Sequence, residues 1–222
     1  VKKKNISLII IVLIVSVFIV AGFVFLLSPR TAKQYRKAAE QGDVDAQISL
    51  GEYYFKGEGV DKNYTEGIKW FTKAANQGNA KAQTVLGLCY FNGLGVKKDF
   101  NNAAKWYRKA AEQGNIVAQI CLGDCYTFGL GVNKDNIEAA KWFRKAAMQG
   151  DAGAQTRLGF CYLGRKGIPK DIPEAIKWFR KAAKQGSESA KNILPSLENA
   201  IKYKLESDKI VRSTKDLRDE NK

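Results

Sequence analysis

Apolar side chains recur at steps of four along Ala46, Leu50 and Tyr54, and the stripe returns as Ala82, Leu86, Tyr90, as Ala118, Leu122, Tyr126 and as Ala154, Leu158, Tyr162. Steps of four share one face of an α-helix, here called helix A. A second stripe, Trp70 with Ala74 and Ala75, recurs from Trp106, Trp142 and Trp178 and marks a partner, helix B. The tryptophans are 36 residues apart, and so are Gly42, Gly78, Gly114, Gly150 and Gly186. One such hairpin cannot bury its apolar face alone. A fixed period of this size therefore predicts an all-α solenoid, antiparallel helix pairs stacked on one continuous interior.

Polar positions mark where each helix starts and stops. Asp43, Asn79, Asn115, Asp151 and Ser187 follow the closing glycines and can accept a first-turn amide proton of helix A. Asn63, Asp99, Asp135 and Asp171 do the same for helix B, with Glu66, Glu138 and Glu174 three residues on as expected capping-box partners. The loops between them read GEGVDKN from Gly57, GLGVKKD from Gly93, GLGVNKD from Gly129 and RKGIPKD from Arg165, and their first glycine suits a left-handed helix end. Gly164, standing ahead of Arg165, predicts that the fourth helix A ends one residue early. Beside each stripe leucine stands Gly51, Gly87, Gly123 or Gly159, where a neighbouring helix can approach closely.

The predicted organisation is four repeats at 43–78, 79–114, 115–150 and 151–186, with a half-repeat cap at 31–42. Pro195 is expected to kink or restart the chain within a pair of C-terminal capping helices at 187–206, and the charged stretch 207–222 to lack fixed structure.

The pattern, in outline ALG-x-x-Y-x-x-G-x-G-V-x-x-D followed by A-x-W-Y/F-x-K-A-A-x-x-G, resembles the Sel-one-like repeat family, a tetratricopeptide-like group. The resemblance runs from Asp43 to Gly186, with half-units on each side; Arg165 in place of a loop glycine and Gln34 in place of a tryptophan depart from it. It implies a right-handed superhelix that acts as an adaptor for protein complexes, in bacteria often exported or linked to signalling and host contact. Some relatives have been described as acting on β-lactams or cell-wall fragments. Others pair cysteines between the two helices of a unit, a pattern not carried over here because helix B holds no cysteine.

Ahead of the repeats, residues 6–27 form an apolar run broken only by Ser7, Ser16 and Gly22. As a helix this run spans roughly 33 Å, enough for a hydrocarbon core of about 30 Å, so residues 1–30 are read as a transmembrane anchor with a short basic N-terminus. Lys2, Lys3 and Lys4 favour a cytoplasmic N-terminus and extracytoplasmic repeats, periplasmic or exported, although Arg30, Lys33, Arg36 and Lys37 beyond the span weaken the bias. Val20, Ala21 and Gly22 offer the alternative of signal cleavage and secretion.

Composition narrows the chemistry. The chain has no histidine, which excludes a Ser-His-Asp triad, a Cys-His pair and an HExxH zinc site. No Ser-x-x-K occurs, and Cys89, Cys121, Cys125 and Cys161 lack a CxxC spacing, so no catalytic residue, cofactor or metal is assigned and the expectation is a non-enzyme. A helical-repeat RNA binder would need paired base-reading side chains on every helix A, which are missing, so nucleic acid is not expected. Lys37, Lys73, Lys109, Lys145 and Lys181 form a ladder, joined by Arg36, Arg108, Arg144 and Arg180. These residues sit in the last turns of helix B, where a cation meets the helix dipole favourably, and they read as scaffold charge.

Variation among the four copies points to recognition. Positions 45, 49, 52 and 56 of the first repeat share the face of helix A opposite the core stripe and change in every copy. Glu52, Val85, Leu88, Asp124, Phe128, Arg157 and Phe160 are the candidate partner-binding residues on this face, acidic near the anchor and more apolar further out. By analogy with tetratricopeptide arrays it lines a concave groove for a peptide or protein, with contact between adjacent units or self-association as the competing use.

Overall fold

The structure, a computed structural model, describes residues 31–164 and 168–220. Among the described residues there are ten helices and no strand. α1 (Ala32–Glu40) is a lone helix B. Four hairpins follow: α2 (Val44–Lys56) with α3 (Tyr64–Asn76), α4 (Ala80–Asn92) with α5 (Phe100–Glu112), α6 (Ile116–Phe128) with α7 (Asn136–Met148), and α8 (Ala152–Tyr162) with α9 (Ile172–Lys184). α10 (Glu188–Glu220) closes the array. Each helix packs on its chain neighbours, and α4 also touches α6, so successive A helices meet. This is an all-α helical-repeat solenoid. The expected membrane helix at 6–27 lies outside the described residues, and no described helix is long and apolar enough to cross a membrane.

Both stripes face the interior as the period requires: Leu50, Leu86, Leu122 and Leu158 are 1 % exposed or less, while Tyr90, Tyr126, Tyr162 and Trp106 are half-buried. The tryptophans bridge repeats, Trp142 of α7 entering the cluster built by Tyr107, Ala110, Leu122 and Cys125 from α5 and α6. Trp178 does the same one repeat on. The residue after each tryptophan lies deeper still, with Phe71, Tyr107, Phe143 and Phe179 at most 1 % exposed. These rings occupy the sockets left by the helix A glycines. A Cβ on Gly123 would stand 2.5 Å from the Phe143 ring, and one on Gly87 2.4 Å from Tyr107.

The turn between repeats is only three residues long because one residue serves both helices. Asn115 donates its backbone N–H to Ala110 O at 3.1 Å, ending α5, while its side chain accepts from Ala118 N at 2.9 Å and its carbonyl from Gln119 N, starting α6. The reversal needs Gly114 at φ +90, although nothing would touch a Cβ there. Asp43, Asn79 and Asp151 cap equivalently, at 2.7, 3.0 and 2.7 Å.

Buried glutamines then tie hairpin to hairpin. Gln47, Gln83, Gln119 and Gln155 of helix A, 3–4 % exposed, donate Nε2 to the carbonyls of Ala39, Ala75, Ala111 and Ala147 near the end of the preceding helix B. Their Oε1 atoms accept from Gln77, Gln113, Gln149 and Gln185 at the end of their own hairpin, at 2.7 to 3.0 Å. The carbonyls so used belong to the last helical turn and would otherwise be buried without a full set of partners.

Three local expectations are revised. Glu66, Glu138 and Glu174 pair forward with Lys69, Lys141 and Lys177 at 2.8 to 3.1 Å instead of reaching back to the cap backbone, because a cation lies one turn away on the same face. α8 stops at Tyr162, one residue sooner than Gly164 suggests, as Leu163 N–H and Gly164 N–H fold onto Phe160 O and Cys161 O. α10 runs on through Pro195 and residues 207–220 as one helix, with Ser196 Oγ bonded to Ile193 O at 2.8 Å beside the proline.

The close approach of loop to helix sets up a paired test. Gly59 and Gly131 both have positive φ, but a Cβ at Gly59 meets open space whereas one at Gly131 would lie 1.9 Å from the Phe100 carbonyl oxygen. Gly59→Ala is expected to lose about 1 kcal/mol from the backbone conformation alone, and Gly131→Ala about 1–3 kcal/mol more, read from urea denaturation. Replacing Gln119 by Met removes one bond each from Ala111 O, which keeps Gly114 N–H, and from the Gln149 amide, which keeps Gly114 O, and is expected to cost about 1 kcal/mol on the same assay. Burial pushes the Cys89 and Cys125 thiols from 9.0 up to about 11 and about 12. The folded chain keeps protons that the unfolded chain releases, so this stability is fully present below pH 9.0 and is lost as pH rises through that window. Urea midpoints should fall between about pH 8 and about pH 10.5, and the fall should shrink in the Cys89→Ala, Cys125→Ala double variant.

Candidate recognition face on the A helices

The variable face of helix A divides into residues that pack and residues that remain available. Val85 rests on the cluster of Ile48, Phe71 and Leu86. Leu88 rests on the next cluster, around Tyr107 and Leu122. Phe160 meets Phe179 edge-on, with ring centroids 5.0 Å apart. All three are half-buried in seams between helices, a packing use of side chains expected on the open surface. Phe128 is different. It is 67 % exposed, and Val117 on the same helix is 52 % exposed.

The charged candidates join adjacent repeats. Glu52 of α2 pairs with Lys81 of α4 at 2.7 Å, and Asp124 of α6 accepts from Arg157 Nε of α8 at 3.1 Å. Both pairs are solvent-facing, so each contributes about 0–1 kcal/mol. Their geometric effect is larger than their energy: the Asp124 pair holds Arg157 across the seam beside Phe128.

Three of the seven candidates thus come together. Asp124, Phe128 and Arg157 line one depression of about 360 Å³, with Phe91, Leu130 and Phe143 completing its apolar wall. Glu52, Val85, Leu88 and Phe160 lie outside it. Phe91 and Leu130 were missed by the sequence reading. Phe91 belongs to the series Phe55, Phe91, Thr127, Leu163, which also varies between copies, and it stacks edge-on against Phe100 at 5.2 Å. Leu130 lies in the loop, outside the helical periodicity.

Chemically the depression offers an aromatic ring, an apolar wall and an ion pair, which suits binding, and the hydroxyl of Thr127 on its lining is donated to Gly123 O at 3.0 Å. Cys121 on the same helix has its thiol raised by burial and is hydrogen-bonded to Tyr107, so it is held as the unreactive thiol. Among the described residues no group of three or more Cys, Asp or Glu side chains converges to hold a metal.

On the opposite side, the lysine ladder has a structural use. Lys73, Lys109, Lys145 and Lys181 lie over the rings of Trp70, Trp106, Trp142 and Trp178 at 3.8 to 4.5 Å from the centroids. Arg108 donates to the Tyr126 hydroxyl at 2.6 Å, and Arg36 and Arg144 likewise reach Tyr54 and Tyr162. The three arginine bonds tie α1 to α2, α5 to α6 and α7 to α8, while Thr72 of α3 turns back to Ile68 O and Arg180 of α9 pairs with Glu198 of α10.

Comparison with known proteins agrees with this architecture. The family model described as the Sel1 repeat matches residues 35–43, 44–79, 80–115, 116–151 and 152–187. Among solved structures, the chain is similar to a protective antigen present in uropathogenic Escherichia coli strains that displays an SLR fold, at 39 % identity and a TM-score of 0.73 over 75 % of this chain. It is also similar to a Sel1 repeat protein from Oxalobacter formigenes, at 41 % identity and a TM-score of 0.65 over 73 % of this chain. The chain spans 36 % of the length of the first and 65 % of the second. No curated protein matches. Each full match of the repeat model begins on the first residue of a helix A, in phase with the stacked hairpins, and the chain belongs to the Sel1 repeat family.

Proposed function

We propose that this protein is a non-catalytic scaffold that recruits a protein partner through its A helices, the inner curve of a right-handed superhelix. The recognition element is the depression formed by Asp124, Phe128 and Arg157 at the seam of the third and fourth repeats. The observation that carries this reading is Phe128: a phenylalanine 67 % exposed beside a fixed ion pair and an apolar wall. A large exposed ring of this kind is the usual anchor of an interface, and Arg157 is already oriented for a carboxylate or carbonyl of the partner.

The apolar run at 6–27 supports a single-pass anchor, with the repeats on the extracytoplasmic side and the more acidic first repeat nearest the bilayer. The first repeat carries four basic against six acidic residues and the fourth eight against three, so the membrane-distal half favours acidic partners. Such a scaffold displays its docking face at a fixed distance from the membrane.

Photo-crosslinking from position 128 in the native cell, followed by rebuilding of the complex from purified components, tests the assignment. Phe128→Ser is expected to weaken the rebuilt complex by about 1–3 kcal/mol while leaving the urea midpoint within the error of the wild type. Full affinity in both Phe128→Ser and Arg157→Glu would remove the assignment.

A further inference from the structure

The four helix B ladders are not equivalent, and the second differs in a consistent direction. In the first, third and fourth repeats the lysine before the tryptophan is held by a glutamate one turn earlier, in the pairs Lys69 with Glu66, Lys141 with Glu138 and Lys177 with Glu174. In the second repeat that glutamate is Asn102. Asn102 turns instead to Asp99, donating its side-chain amide to Oδ2 at 2.7 Å and its backbone N–H to Oδ1 at 3.0 Å. Lys105 is exposed, and its charge acts on Asp99 only as a minor contribution to holding that carboxyl below its ordinary range, behind the hydrogen bonds from Asn102.

The same repeat also opens the surface beside this lysine. Trp106 is half-buried, whereas Trp70, Trp142 and Trp178 are 5–7 % exposed. Asn101 and Val132 stand where the third repeat's groove has Ile137 and Ile168. With these smaller or more polar residues, the groove between α5 and the following loop widens from about 210 Å³ in the third repeat to about 630 Å³ in the second. Lys105, Trp106, Arg108, Lys109 and Val132 line it, with Glu112 as its one carboxylate.

We propose that this groove is a second docking site, for an acidic, extended segment of a protein partner. Lys105 and the flanking Arg108 and Lys109 receive its carboxylates. Its apolar atoms lie on Trp106 and Val132, and the amides of Asn101 and Asn102 bond its backbone. Charge complementarity selects this occupant: three cations against one carboxylate surround a half-buried indole. The recessed shape, walled by a loop on one side, suits a peptide strand better than a flat lipid surface. α5, with 13 residues, is roughly 20 Å long, which matches about six extended residues of a partner. The site lies on helix B and is independent of the A-helix depression.

The test uses the full chain in detergent micelles and a fluorescein-labelled peptide of about six residues alternating Glu and Leu, with a Gln-for-Glu peptide as its uncharged counterpart. Fluorescence polarisation is expected to show binding of the Glu peptide alone, weakening as salt is raised. Asn102→Glu installs the residue that the other three repeats carry, so the fold tolerates it. It and Lys105→Glu are each expected to reduce affinity about fivefold or more. Lys177→Glu, at the paired position of the fourth repeat, and Phe128→Ser are expected to leave it unchanged. Equal binding of the two peptides, undiminished binding by Asn102→Glu, or an equal loss with Lys177→Glu would overturn the site. So would phosphatidylserine vesicles binding in an Asn102→Glu-sensitive way while the peptide does not.

Discussion

The buried glutamine of each helix A holds the array together as a directional structure. An apolar stripe favours stacking but is indifferent to small slips along the helix axis, because one methyl contacts another at many offsets. Gln119 is not indifferent: its amide must meet Ala111 O of the preceding hairpin while its oxygen receives Gln149 from its own. A slip of one turn would strand buried donors and acceptors on both sides, at a cost of about 1–3 kcal/mol for each group. The same bond recurs at Gln47, Gln83 and Gln155, and the register of every hairpin is fixed by the one before it. The glycine sockets depend on that register, since Phe143 fits over Gly123 only when α6 and α7 meet at one height.

Local chemistry was the legible part of the sequence. A cap such as Asn115 acts within three residues, and the left-handed glycines Gly57, Gly93 and Gly129 end helices wherever the chain reverses, so spacing alone located nearly every boundary. Gln119 was less visible because its partners lie 8 and 30 residues away. The signal was present all the same, as a polar residue repeated beside the core stripe in all four copies. Polar identity at a buried, repeated position marks a hydrogen bond that the interior cannot do without.

The variable face of helix A is partly taken up by packing, for a physical reason particular to solenoids. Amphipathic logic assigns a helix one buried and one solvated side. Helix α4, however, touches α3, α5 and α6, so Val85 and Leu88 meet neighbours where a two-layer protein would have water. Variation between copies at such positions records which residue fills each seam. Phe128 varies as well but remains 67 % exposed, so the filling of a seam does not account for it.

A repeat array gives function by local departure from its own rule, since whatever recurs in every hairpin is already used to join hairpins. In the first, third and fourth repeats the first-turn glutamate and the lysine before the tryptophan occupy each other, Glu66 with Lys69, Glu138 with Lys141 and Glu174 with Lys177. Asn102 interrupts that arrangement without weakening the core, because the pair it replaces is exposed and contributes little. The A-helix depression has the same logic: its Asp124 and Arg157 find each other across a seam at which the other copies carry different residues. Both departures fall near the middle of the array, where each hairpin is supported on two sides. A surface residue there can be exchanged for binding at little cost to stacking, whereas α1 and α10 at the ends must spend their exposed faces closing the core.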